Sequence, residues 1–224
     1  MRDIRPEVTA TAQRVNATVA TVGEAAVRAP SALPGWSRGH VITHIANFAE
    51  AMTRQVEEAL AGRLVDVYDG GRAARDAAIE AGAGRPAAEL AEHLRVATGA
   101  LIAAWDKVGP GDWERPIRHR DSFLAAGLYA TWRELAVHAV DLDLAPTAGD
   151  WPKEFCLHLL DFLRPRTPEG VQLVLRADDG TTWENGTGDP TVLTGELTDL
   201  TAWYAGRVAP GPVNGPAPEL LPWP

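Results

Sequence analysis

The chain has 224 residues, 46% of them hydrophobic and 23% charged, with a formal net charge of −9. That length buries the core of one large domain or two small ones, and an acidic balance offset by no basic block argues against a nucleic-acid or anionic-membrane surface. The uncharged apolar stretch Val96–Trp105 is too short to span a bilayer and Met1–Pro6 lacks an apolar signal core, so a cytoplasmic location is expected.

Val8, Ala12, Val15, Val19, Val22 and Ala26 recur at spacings of three and four and predict a first helix, ended by Ala29-Pro30. Ser37 is placed to cap a second helix running to about Leu60, where Gly62 allows a stop. Val41, Ile45, Phe48 and Met52 mark its buried side, and His44 shares that side, whereas His40 at the helix start is expected to cap or to face solvent. The stretch from Arg63 to Arg85 is less regular: Gly70-Gly71 and Gly82-Ala83-Gly84 bracket a short Ala-rich helix, expected to pack near the bundle end and border a pocket. Pro86 suits the first turn of a third long helix, with Leu90, Leu94, Ala97, Leu101, Ala104, Trp105 and Val108 inward and Gly109-Pro110-Gly111 as its close. His93 lies beside that core line and is expected at the surface. The basic loop Arg115–Arg120 makes His119 a solvated turn residue, and Asp121 or Ser122 is the expected cap of a fourth helix.

In that fourth helix Leu128, Trp132, Leu135, Ala139 and Leu142 follow the helical period. Glu134 and His138 fall one turn apart on the flank of the apolar face, and Asp141 extends the line, either orienting His138 or facing solvent. An isolated E-x-x-x-H is more often an i,i+4 ion pair or a capped interior histidine than a metal site, and a metal reading needs a third ligand from elsewhere. His44 supplies that candidate. Three inward polar groups are costly to bury without partners, and a shared divalent cation would satisfy them all. Four amphipathic helices make an antiparallel bundle the economical solution, and bundle metal sites are built from inward side chains on facing helices.

After Asp150 the pattern changes. A helix over Pro152–Leu163 is followed by strands at Val171–Leu175, Thr181–Trp183 and Thr191–Thr194, with Asp178-Asp179-Gly180 as a turn, then a helix over Glu196–Gly206 and a proline-rich tail through Pro218. The fold class is therefore α+β: a four-helix bundle over residues 1–149 and a small α/β domain over residues 150–224. The single cysteine, Cys156, lies in an apolar helical run and reads as a packed thiol, so thiol chemistry would need a thiol from outside. His158 in the same run reads as a packed or partly exposed helix residue. Arg207, just past a helix C-terminus, is explained either by the helix dipole or by the need for a cation near an acidic substrate.

With these residues in place, the sequence resembles the mycothiol-dependent maleylpyruvate isomerase family, whose bundle belongs to the wider DinB-like group. Leu33-Pro34-Gly35-Trp36-Ser37-Arg38-Gly39-His40-Val41-Ile42-Thr43-His44 and Arg133-Glu134-Leu135-Ala136-Val137-His138-Ala139-Val140-Asp141-Leu142 carry the likeness, with the shorter Tyr204-Ala205-Gly206-Arg207 adding to it. The resemblance implies a divalent metal, zinc, on His44, Glu134 and His138, mycothiol as the thiol cofactor, and Arg207 as the catalytic arginine. Val208-Ala209-Pro210 departs from the glycine-rich continuation expected after that arginine. A monomer is expected, and the resemblance further implies an enzyme that takes a small acidic substrate, adds the thiol across the cis double bond of maleylpyruvate, allows rotation and eliminates the thiol to leave fumarylpyruvate. A mycothiol S-transferase acting on another electrophile would carry the same motifs. A non-catalytic metal-binding bundle that regulates a partner is the alternative from a different class.

Overall fold

The computed structural model describes residues 2–224, which fall into two compact units, one ending at Ala145 and the other spanning Pro146–Pro224. In the first unit, α1 (Arg5–Ala20) buries Val8, Ala12, Val15 and Val19. The helix expected to continue through Ala26 breaks: Thr21 gives its N–H back to the Thr18 carbonyl, Gly23 is extended, and α2 (Glu24–Arg28) starts afresh. As a result Val27, not Ala26, is the residue fully buried there.

Helix α3 (Arg38–Leu60) opens on a reciprocal cap, in which Ser37 Oγ accepts from the His40 N–H and His40 Nδ1 accepts from the Ser37 N–H. This start fixes the helical phase, so Val41, Ile45, Phe48, Met52 and His44 are all buried. Gly62, at φ 74°, ends the helix in the left-handed region. Helix α4 (Gly71–Ala83) lies against α3. Two glycines permit the approach: a Cβ on Gly39 would run into the Ala83 carbonyl, and one on Gly82 into the Thr43 methyl.

Helix α5 (Ala87–Asp106) follows Pro86 and buries Leu90, Leu94, Ala97, Leu101, Ala104 and Trp105. A short antiparallel pair, β1 (Pro116–Ile117) and β2 (Ser122–Phe123), then leads into α6 (Leu124–Asp141). The pair corrects the expected cap. Phe123 occupies the N-cap position, because Ser122 is engaged in β2 and its Oγ donates to the His119 carbonyl at 2.6 Å, while Arg120 and Asp121 take positive φ to make the turn. Helices α1, α3, α5 and α6 form the bundle, with α3 packed on α5 and α6 and α1 packed on the same two. On the α6 stripe Leu128, Trp132, Leu135, Ala139 and Leu142 are buried. Large apolar side chains contribute about 2 kcal/mol each on burial, and turning a paired carboxylate and imidazole inward costs several kcal/mol. The apolar stripe therefore sets the phase of α6, and Glu134 and His138 are carried inward on its flank.

In the second unit, α7 (Lys153–Phe162) precedes a three-stranded sheet. The central strand β3 (Val171–Ala177) pairs antiparallel with β4 (Thr182–Gly186) and parallel with β5 (Asp189–Gly195). The chain passes from β4 to β5 across the start of β3 through Gly186 and Gly188, both at positive φ, where a Cβ would collide with the Val171 and Gly170 carbonyls. The strands run longer than their alternating apolar residues indicate. Helix α8 (Leu197–Tyr204) packs on α7, β3 and β5. The whole is α+β, largely helical with a small mixed sheet, and no described helix is long and apolar enough to cross a membrane.

Candidate metal centre

His44 reaches the bundle interior from α3, and Glu134 and His138 reach it from α6. Their side chains meet: Glu134 Oε2 lies 3.2 Å from His44 Nε2 and 3.3 Å from His138 Nε2, and the two imidazole rings stand edge to face with centroids 4.4 Å apart. One potential ligand atom from each of the three lies within 4.8 Å of the others. Exposure is graded across the cluster, at 6% for the His44 side chain, 16% for His138 and 29% for Glu134, so it is sealed on the α3 side and reachable past the carboxylate.

Electrostatics divide the two histidines. Burial pushes the His44 imidazole down, and the His138 charge adds to that against the Glu134 carboxylate. Burial also acts on His138, but hydrogen bonds to Asp141 and Glu134 outweigh it and raise the imidazole to about 9. Glu134 itself is held well below the usual carboxylate range, because bonds and charge from His138 and His44 overcome the effect of burial. Two nitrogens and one oxygen converging on a small volume is a donor set that suits a zinc-type cation, with a fourth position left for another ligand.

Groups beyond the trio fix its orientation. His138 Nδ1 lies 2.8 Å from Oδ2 of Asp141, whose side chain is fully buried, so the solvent-facing alternative for this aspartate does not hold. His44 Nδ1 instead faces Arg75 Nη2 at 3.1 Å. A guanidinium has only donors, so His44 accepts there and presents its N–H at Nε2 toward Glu134. Trp36 lies edge-on against His44 with centroids 5.8 Å apart.

Arg75 comes from α4, and no periodic signal in the sequence marks it; the only pointer is that its helix belongs to the insertion expected to border a pocket. Tyr68 joins it, its hydroxyl pushed up by burial, with the Arg75 guanidinium opposing and the Glu134 charge adding. His119, expected to be solvated, is half-buried and edge-on to Phe48, with centroids 5.9 Å apart. Its imidazole is pushed down by burial, partly offset by the Glu134 charge. Burial likewise brings Arg133 down to about 10 against the pull of Glu134.

The remaining histidines lie outside the trio. His40 caps α3 and its Nε2 lies 3.4 Å from Glu80, His93 pairs with Glu50 at 2.7 Å, and His158 is partly buried on α7. Cys156 is a free, buried thiol. Arg207 lies just past α8, where its N–H bonds to the Ala202 carbonyl at 2.8 Å, its Nη1 donates to the Ala205 carbonyl at 3.0 Å, and its guanidinium sits 5.0 Å from the Trp223 ring centroid.

Two solved structures resemble the whole fold. One is described as the mycothiol-dependent maleylpyruvate isomerase, with a TM-score of 0.87 and 24% identity over 98% of this chain and 95% of that one. The other, a histidine-to-alanine mutant of the mycothiol-dependent maleylpyruvate isomerase, gives a TM-score of 0.86 at the same identity and coverage. No curated protein matches the chain. Residues 8–143 match the family model described as the mycothiol maleylpyruvate isomerase N-terminal domain, an extent that contains the whole His44, Glu134 and His138 cluster. The chain belongs to the mycothiol maleylpyruvate isomerase N-terminal domain family.

Proposed function

We propose that this protein is a metal- and mycothiol-dependent cis–trans isomerase acting on maleylpyruvate or a related cis-unsaturated acid. The observation that carries the reading is the convergence of His44, Glu134 and His138, with one ligand atom from each within 4.8 Å of the others and the Glu134 side chain partly exposed. His44, Glu134 and His138 would hold a divalent cation such as zinc, which would supply a Lewis acid that favours the thiolate, nucleophilic form of an incoming thiol. The protein's own residues supply the rest. Asp141 holds the His138 ring through Nδ1 and so aims Nε2 at the cluster. Trp36 packs edge-on against His44. Arg207 pairs its guanidinium fork with a substrate carboxylate or with negative charge that develops during the reaction. The roles divide between a metal-holding helical bundle and a C-terminal domain, spanning Pro146–Pro224, that contributes the arginine.

The test is turnover of maleylpyruvate by the zinc-loaded full chain with mycothiol present, with mycothiol omitted, and after chelation. Isomerised product only when both metal and mycothiol are present supports the reading. A stable thiol adduct without isomerised product would assign S-transfer instead. No thiol-dependent turnover of any cis-unsaturated acid would favour a non-catalytic metal-binding bundle.

A further inference from the structure

Beside the metal cluster, within the helical unit, lies a cavity of about 560 Å³ whose lining includes Asp66, Tyr68, Arg72, Arg75 and Arg118. Three arginines and one aspartate are among its lining side chains, in a chain whose formal net charge is −9. A local reversal of sign concentrates anions at the concave surface, and the volume lies in the range of small-molecule sites. We propose that this cavity is a subsite for a small organic carboxylate. The proposal deepens the isomerase reading by giving an acidic substrate a holding point in the bundle, independent of Arg207.

Arg75 joins the cavity to the cluster. Its side chain is 23% exposed, it lines the cavity, and its Nη2 lies 3.1 Å from His44 Nδ1. A carboxylate held by Arg118 and Arg72 is thereby within one side chain of the ligand set. Guanidinium forks match the two oxygens of a carboxylate, which a lysine would meet only as a point charge. The carboxylates that these arginines pair with are exposed. Asp76 lies 2.6 Å from Arg75 Nη1 and 3.8 Å from Arg72 Nε, and Asp121 lies 3.3 Å from Arg118 Nη1. Ion pairs of this kind contribute little in water, so an entering carboxylate displaces them at small cost. A smaller cavity of about 330 Å³ also touches Tyr68 and Arg75, but its lining sets Glu50 and Asp69 against Arg54 and Arg75. Its charges cancel, and it lacks the same attraction.

The probe is maleate, titrated into the full chain after chelation so that no metal competes for the carboxylate. Saturable binding of one maleate is expected, weakened about tenfold by Arg118→Gln and about threefold by the more exposed Arg72→Gln, since a charge-assisted hydrogen bond is replaced by a neutral one. Both variants should keep the wild-type melting temperature and zinc affinity. Unchanged maleate affinity in both variants overturns the subsite, and so does binding of inorganic phosphate as tightly as maleate, which marks general anion attraction. Maleate binding that responds to Arg118→Gln without any isomerase turnover upholds the subsite and removes the isomerase reading. Isomerase turnover unaffected by either substitution, with unchanged maleate affinity, does the reverse.

Discussion

Asp141 Oδ2 lies 2.8 Å from Nδ1 of His138, and the aspartate side chain has no solvent exposure. A carboxylate on the far nitrogen fixes the plane and tautomer of an imidazole and strengthens its other nitrogen as a ligand. Asp141→Asn keeps the shape and removes the charge. Zinc affinity is expected to fall about 10- to 100-fold, measured by competition with a chromophoric chelator. Wild-type affinity in the variant would show that Asp141 serves helix packing alone.

The contact between Arg75 and His44 predicts the opposite sign. Arg75 donates to His44 Nδ1, yet a neutral imidazole that binds a cation through Nε2 must carry its proton on Nδ1. Arg75 then has to withdraw, giving up one hydrogen bond. Arg75→Met should therefore bind zinc about three- to tenfold more tightly than wild type. Weaker binding in the same competition assay would mean that Arg75 supports the metal-bound arrangement.

Arg207→Ala tests the assignment that rests on the C-terminal motif. Metal content should match wild type, and mycothiol-dependent turnover should drop about a hundredfold, the usual loss when one group that stabilises developing charge is removed. Arg207→Lys should recover little, because a point charge does not reproduce the fork. Full turnover in Arg207→Ala would remove the arginine from the chemistry.

Cys156 has no solvent exposure, and burial pushes its thiol up to about 11, opposed by a hydrogen bond with Thr201. Alkylation at pH 8 should be at least about a hundredfold slower in the folded chain than in urea. The unfolded thiol ionises at about 8.5, so between there and pH 11 the unfolded chain has lost a proton that the folded chain keeps. Stability from this residue therefore falls as pH rises through that window and is unaffected below it. Cys156→Ala should flatten that part of the stability curve. Rapid alkylation of the native protein at pH 8 would contradict the burial of the thiol.

Much of this arrangement was legible in the residue pattern, for a physical reason. The apolar stripes of α3 and α6 dominate the energetics of their helices, so counting turns from Val41 and Leu128 suffices to bring His44, Glu134 and His138 inward. What escaped depends on contacts between distant segments. Phe123 stands at the N-cap because Pro116 pairs with it across a two-residue ladder, and neither residue announces that pairing. The first helix breaks at Gly23, where one glycine within a continuing apolar period is a weak signal. Arg75 meets His44 because Gly39 and Gly82 let α4 close on α3, so its place at the site comes from helix packing. Asp141 lay on the expected line, but only tertiary burial decides between its two alternatives.

The most direct test compares wild-type protein with His44→Ala for bound zinc and for mycothiol-dependent conversion of maleylpyruvate, after each has been shown to melt cooperatively. If His44, Glu134 and His138 hold the working cation together, wild type carries one zinc per chain and His44→Ala loses both the metal and the activity. A folded His44→Ala protein that keeps stoichiometric zinc and wild-type turnover would contradict the account.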